Sequence, residues 1–290
     1  MKVHLVDGTF ELFRAYYSRP PSTAPDGRPT NAVRGLLESM LSLLREPDVT
    51  HVGVATDHVI ESWRNDVFPG YKSSAGMPPD LLAQFGDAET ALSALGLTVW
   101  PMVEDEADDA LATATHRLAE DPAIEQIVIC SVDKDLAQCV SGTRVVLRDR
   151  MRRITYDEAG VRDKFGVPPE SIPDYLALVG DSSDGYPGLP GWGARSAAAV
   201  LARWGHLEQI PAASGAWDAN VRNAAGLSAS LRARWADALL YRRLARLGLD
   251  ADIEVDPAAL EWKGAPRDAF ERLAADLGFE RLLDRIPRWA

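Results

Sequence analysis

The sequence predicts an α/β domain with a parallel sheet flanked by helices, followed by a helical domain. Three observations predict it. Short continuous apolar runs recur at residues 3–6, in "HVGVATDH" and in "IEQIVICSVDKD", as in strands covered on both faces. Segments of helical period separate these runs, which is the alternation of a parallel sheet. From about residue 168 onward no strand pattern recurs, and helical segments are joined by Gly and Pro turns.

Each element follows in chain order. "VHLVDG" is a buried strand ending at Asp7, and "RPPSTAPDGRPTN" (19–31) is a loop. "NAVRGLLESMLSLLRE" is a helix, and "HVGVATDH" is a second strand ending near Asp57. "PDLLAQFGDAETALSALG" and "EADDALATATHRLAED" are helices, and the third strand stops just before Asp133. "TRVVLRDRMRRITYDE" reads as a hairpin carrying Arg144, Arg148, Arg150, Arg152 and Arg153. Those arginines suit either a duplex-facing patch or an edge strand protected against aggregation. "PPESIPDYLALVG" and the segments up to Arg246 read as helical, with Arg232, Arg234, Arg242, Arg243 and Arg246 expected on a solvated face. The domains are expected at 1–175 and 176–290.

Composition sets the class. A chain of 290 residues, 46% hydrophobic and 26% charged, has room for two cores. No apolar stretch reaches membrane-spanning length, so no membrane association is expected. Asp7 and Glu11 interrupt the N-terminal apolar run, which does not have a signal-peptide layout. Cys130 and Cys139 have neither metal-ligand spacing nor a disulfide framework, so buried thiols and a cytoplasmic location are expected. A net charge of -12 argues against a nucleic-acid binder unless many acids are gathered at a metal site.

The acids near strand ends and turns are Asp7, Asp57, Glu106, Asp108, Asp109, Asp133, Asp135, Asp181 and Asp184. Glu106, Asp108 and Asp109 also suit a helix N-terminus, and Asp133 and Asp135 suit a turn. In an open parallel sheet, however, the carboxyl ends of the strands form one ligand-binding edge. Carboxylates gathered there repel one another unless cations intervene. All-oxygen donors suit Mg²⁺ or Mn²⁺, and two such ions are a standard device for phosphodiester cleavage. Directly after Asp181 and Asp184, "GYPGLPGWGARSAAAVL" places a glycine-rich turn before a helix. Gly188, Gly191 and Gly193 there can expose backbone N–H groups to a phosphate, with Arg195 adding charge. The same glycines also suit a tight packing turn.

These pieces resemble the 5′ nuclease family, which includes the 5′–3′ exonuclease domain of bacterial DNA polymerase I, stand-alone exonucleases and flap endonucleases. "LVDGTFELFRAYY", "ATDHVIESWRNDVFPGYK", "EADDALATA", "SVDKDLAQCV" and "LALVGDSSDGYPGLPGWGARSA" carry the resemblance, in family order. It implies a PIN-like nuclease domain with a twisted, mainly parallel sheet, and a helical domain with a helix-three-turn-helix, a relative of the helix-hairpin-helix, at 185–195. It implies that all nine acids hold two or more Mg²⁺ or Mn²⁺ ions. Arg64 and Lys72 would contact the scissile phosphate, and Gly188, Gly191, Gly193 and Arg195 would hold DNA, with K⁺ possible at the hairpin. Lys72 would open a flexible arch at about 68–90. The implied activity is structure-specific 5′ nuclease action on DNA with a 5′ flap, nick or overhang, or on an RNA–DNA hybrid; nothing in the sequence constrains the oligomeric state, and a monomer is the default expectation. A small-substrate phosphatase and a non-catalytic junction binder are the alternatives. Two departures stand out. Ala75 replaces an arginine usual in "YKxxR", and "GDSSDGYPG" has Gly185 and Tyr186 where relatives read "NI".

Overall fold

The computed structural model describes residues 1–217 and 221–290, which form two compact units. The first comprises residues 1–62, 74–131 and 249–290. Its strands β1 (Lys2–Asp7), β2 (His51–Asp57), β3 (Thr98–Met102) and β4 (Gln126–Cys130) lie parallel in the order β3-β2-β1-β4. The sequence pattern did not reveal β3. It is five residues long, lies at an edge, and carries exposed Pro101, a residue the middle of a sheet does not accept. Val3, Leu5, Val6, Val52, Val54, Ile127 and Ile129 are fully buried, which explains the unbroken apolar runs.

A further helix, Gly8–Ser18, follows β1 with no intervening loop, because the Asp7 carboxylate accepts from Phe10 N at 2.8 Å and caps it. The helix Asn31–Leu43 packs on it, with Gly35 close against Ala15. The expected 79–96 helix is broken into Pro79–Leu82 and Phe85–Ala94. At the break, buried Gln84 accepts from Ala32 N and Val33 N at 2.8 and 3.2 Å. It thus satisfies free N–H groups at the start of the Asn31–Leu43 helix.

The C-terminal segment corrects the expected division of the chain. Residues 249–290 belong to the same unit as the N-terminal strands. Val52 N donates to Leu260 O at 2.8 Å, Trp262 N to Thr50 O at 2.8 Å, and Trp100 Nε1 to Glu254 O at 3.0 Å. The tail covers β2 and β3, and its helix Arg267–Leu277 buries Phe270 and Ala274.

The second unit comprises Trp63–Ser73 and Val132–Gly248. It carries the expected hairpin, β5 (Val145–Asp149) antiparallel to β6 (Ile154–Tyr156). Its helices include Ile172–Val179, Ala194–Trp204 and Trp235–Ala245. Ile172–Val179 is almost wholly buried and apolar except for Asp174, and it packs on Trp235–Ala245. Arg242 is not on a solvated face. It donates to Asp174 at 2.9 Å and forks onto Glu208, while His206 bonds the same buried Asp174 at 2.9 Å. Cys130 is buried and Cys139 half-buried. Among the described residues no helix is long and apolar enough to cross a membrane.

Candidate functional site

In the first unit, Asp7 and Asp57 end neighbouring parallel strands, with Asp7 in register with Ala55. Both are buried. Asp7 also accepts from Ser131 Oγ at 2.8 Å, and Asp57 accepts from Ala107 N at 2.7 Å, at the start of the helix Ala107–Ala119. Glu106 accepts from Ser62 Oγ at 2.7 Å, and its N–H donates to Asp109 at 3.0 Å. Asp109, fully buried, completes a capping box at that helix start, while Asp108 is half-buried. One Asp109 oxygen therefore serves the helix-end role that its spacing also suited.

In the second unit the structure brings Asp135, Asp181 and Asp184 together, their nearest ligand oxygens all within 4.8 Å of one another. All three are buried. Asp133, half-buried, accepts from Asp135 N at 2.9 Å, a tight turn that aims the Asp135 side chain inward. Asp181 is fixed by reciprocal backbone bonds with Tyr186 at 2.9 and 3.1 Å, and it accepts from Ser183 N at 2.9 Å. Burial, and after it the charges of Asp133, Asp184 and Asp181, hold the Asp135 carboxyl well above its usual range. Its buried Oδ1 has no hydrogen-bond partner. A buried carboxyl oxygen without a partner, set among other carboxyl groups, fits a hard divalent cation, for which all the donors here are oxygen.

Two ammonium groups face this cluster. Lys72 Nζ lies 3.6 Å from Asp184 Oδ1, and Lys72 N donates to Asp184 O at 2.9 Å. That close approach uses Gly185, which has φ +88°; a side chain there would begin 2.2 Å from Gly70 O. Lys134 Nζ lies 2.6 Å from Asp181 Oδ2. The sequence reading passed over Lys134, although its place between two aspartates in "DKD" was the available signal. Tyr186 lies fully buried, stacked on Tyr241 with ring centroids 5.7 Å apart, and walls the cluster off from the helical core.

Arg64 is placed differently from a solvent-facing phosphate contact. It is 1% exposed, and its guanidinium donates to Leu244 O at 2.8 Å and Arg246 O at 3.2 Å, closing the end of the Trp235–Ala245 helix. That placement is also incompatible with a solvated surface charge, and it makes Arg64 a positioning residue in this structure.

The glycines of the hairpin divide into two kinds. Gly188 is buried with φ +69°, and a side chain would begin 2.3 Å from Gly180 N, so it serves packing and not a ligand. Gly191 and Gly193 are exposed, and a side chain on Gly193 would meet nothing within 4 Å. Arg195 is exposed in the first turn of the helix Ala194–Trp204. A cleft of about 660 Å³ here is lined by Gly191, Gly193, Arg195, Ser196, Arg222 and Asn223. Arg222 and Asn223, absent from the sequence-based set, come from a different segment and give it a second wall. His58 is a half-exposed surface residue bonded to Glu89 at 2.9 Å.

Known proteins share both sequence and fold with this chain. DNA polymerase I of Pseudomonas aeruginosa is 35% identical over 99% of this chain and 31% of its own length. That of Mycobacterium tuberculosis is 34% identical over 97% of this chain and 31% of its own. The chain thus spans about a third of the length of these curated relatives. The T5 5′-exonuclease with zinc bound superimposes with a TM-score of 0.68 at 17% identity, covering 95% of this chain and 98% of that one. The catalytic core of Rad2 in complex with DNA substrate gives a TM-score of 0.64 at 15% identity, covering 98% and 91%. Residues 2–166 match the 5′-3′ exonuclease N-terminal resolvase-like domain and residues 167–268 the 5′-3′ exonuclease C-terminal SAM fold; the chain belongs to the 5′–3′ exonuclease family.

Proposed function

We propose that the chain is a divalent-metal-dependent, structure-specific 5′ nuclease that hydrolyses DNA phosphodiesters, in replication and repair steps such as primer or flap removal. The observation that carries this reading is the buried Asp135–Asp181–Asp184 cluster, with an orphaned oxygen and an adjacent lysine. Asp135, Asp181 and Asp184 would hold one ion; Asp7 and Asp57 from the strand ends, and Glu106 and Asp108 from the start of the helix Ala107–Ala119, are offered as further ligands. When bound, Mg²⁺ or Mn²⁺ lowers the pKa of a water and neutralises charge on the phosphate. Lys72 adds a positive charge for the phosphate oxygens as negative charge grows on them. Asp133 keeps Asp135 aimed inward through its bond to the Asp135 N–H. Tyr186 and Tyr241 keep water out from behind the cluster. Gly191, Gly193 and Arg195, with Arg222 and Asn223, are offered as the grip on a duplex backbone that reads no sequence, where K⁺ would also bind. We take the working form to be a monomer.

The arch region favours short flaps, nicks or overhangs over long single-stranded flaps. It contains only the four-residue helix Pro79–Leu82 before Phe85, and Ala75 supplies no cation. Incubation with labelled 5′-flap, nicked and overhang DNA tests the whole reading. Cleavage should require Mg²⁺ or Mn²⁺ and stop with EDTA. Hydrolysis of p-nitrophenyl phosphate without DNA cleavage would favour a phosphatase, and binding without cleavage a junction binder.

A further inference from the structure

Lys134 holds a carboxylate that the proposed metal also needs. It stands between Asp133 and Asp135 at the turn closed by the Asp135 N–H bond to Asp133. That turn throws its side chain across to Asp181, where Nζ reaches Oδ2 at 2.6 Å. Asp181 has little to spare. It is 2% exposed, and its other oxygen accepts from Ser183 N at 2.9 Å. Asp135 is the opposite case, with one buried oxygen that has no hydrogen-bond partner. Lys72 holds Asp184 more loosely, at 3.6 Å. Within one cluster, then, one ligand oxygen is orphaned and another is bonded to an ammonium.

A divalent ion on Asp181 Oδ2 would stand only a few ångströms from the Lys134 ammonium. Two cations on one carboxylate oxygen repel strongly in a partly buried setting. The ammonium must therefore leave Asp181 when the ion arrives, and it has a way out, because its side chain is 35% exposed. Away from Asp181 it needs another anion. A DNA phosphate brought to the cluster is such an anion and accepts hydrogen bonds from an ammonium.

We propose that Lys134 competes with the divalent cation for Asp181 and yields to it when a DNA phosphate takes up its ammonium, so that full metal loading is coupled to substrate. Lys134 is a positioning residue in this scheme, and the inference rests on the metal-dependent reading above.

Calorimetric titration of Ca²⁺ into the full chain, with and without a duplex bearing a 5′ overhang, tests it without turnover. In the natural protein, DNA should tighten Ca²⁺ binding. Lys134→Met should tighten Ca²⁺ binding without DNA by about tenfold, the scale of one charge-assisted hydrogen bond, and should remove most of the tightening by DNA. Lys134→Arg keeps a cation at the position and should retain the coupling. Ca²⁺ affinity unchanged or weaker in a folded Lys134→Met would overturn the proposal. So would a natural protein whose Ca²⁺ affinity ignores DNA, a result obtained with no variant. A natural protein that binds no Ca²⁺, Mg²⁺ or Mn²⁺ in either condition removes the metal reading itself, and this inference with it.

Discussion

Asp135→Asn should stabilise the protein in EDTA while abolishing cleavage. The carboxylate is buried, and the nearest oxygens of Asp181 and Asp184 lie within 4.8 Å of its own. At an effective dielectric of about 20, each such pair repels by about 3.5 kcal/mol. Lys72 offsets part of this, and the carboxyl can retain a proton instead of bearing the full repulsion. What remains for an uncharged, isosteric amide to recover is about 1–3 kcal/mol. Each kcal/mol shifts Tm by about 2–4 °C in a protein of this size. The sign with pH follows from the raised carboxyl. The folded state binds the proton more tightly than the unfolded chain, whose Asp titrates near the ordinary 3.8. The charge therefore costs nothing below that value and costs more as pH rises toward the folded value. The Tm advantage of the variant should thus be absent at acid pH and should grow as pH rises above the ordinary Asp value toward the folded one. Saturating Mg²⁺ should erase or reverse it, because the natural protein gains a bound ion and the variant has lost a ligand. Scanning fluorimetry in EDTA and in Mg²⁺, run beside a flap-cleavage assay, measures all of this. A variant less stable than the natural protein in EDTA, or cleaving within tenfold of it, would refute the reasoning.

Other substitutions separate packing from recognition. Gly193→Val should weaken duplex binding by roughly 1–2 kcal/mol, one backbone contact to phosphate, with a stability change near zero, since φ is -143° and the space is open; equal DNA affinity by fluorescence anisotropy in Ca²⁺ would return the turn to packing alone. Gly188→Ala should behave in the opposite way, lowering Tm through its clash with Gly180. Ala75→Arg should raise the rate on a long 5′ flap more than on a matched nick, by the modest factor of about one screened phosphate contact; strong flap preference in the natural enzyme with no gain on substitution would count against the arch argument. Glu208→Gln should lower Tm at pH 6, because the Arg242 fork holds the Glu208 carboxyl down at about 2, against an ordinary 4.5. With the folded value below the unfolded one, this stabilisation is complete above about pH 4.5 and fades as pH falls toward 2, so the Tm gap should narrow on acidification. The Glu208 side chain is half-exposed, which limits the effect to about 1 kcal/mol.

How far the sequence could be read depended on whether a residue's role is local. Strands β1, β2 and β4 were visible because both of their faces are buried, which leaves an uninterrupted apolar run. The β5–β6 hairpin was visible through its alternation. β3 was hidden by Pro101, and the helix after β1 was hidden because its cap is the same Asp7 that ends the strand. The C-terminal segment has helical composition, and nothing local announces that Leu260 and Trp262 return to β2. The same distinction separates the site residues. Asp135, Asp181 and Asp184 stood in specific motifs. The place of Arg64 could not be read from its neighbours in the sequence, because the carbonyls it closes, on Leu244 and Arg246, lie about 180 residues away in the chain.

Gly185 and Tyr186 show how a departure from the family pattern can leave the site in place. Exchanging "NI" for "GY" looks like a loosening of the loop between Asp184 and the glycine-rich turn. In the fold it works in the other direction. Gly185 takes the left-handed conformation that Asn also tolerates, and the missing side chain lets Gly70 O approach where a Cβ would stand at 2.2 Å. The loop so admitted is held by the Lys72 N–H bond to Asp184 O, which keeps the Lys72 side chain beside the cluster. Tyr186 fills the space behind, stacked on Tyr241, which in turn meets Phe68 edge-on at 6.0 Å. Phe68 and Lys72 belong to one short loop, so the two substitutions act on the same segment from opposite ends. Gly185 brings its backbone close, and Tyr186, through Tyr241, fixes its aromatic anchor. A like-charged cluster pushes its own walls apart, and a loop pinned at both points resists that push while keeping a cation in reach.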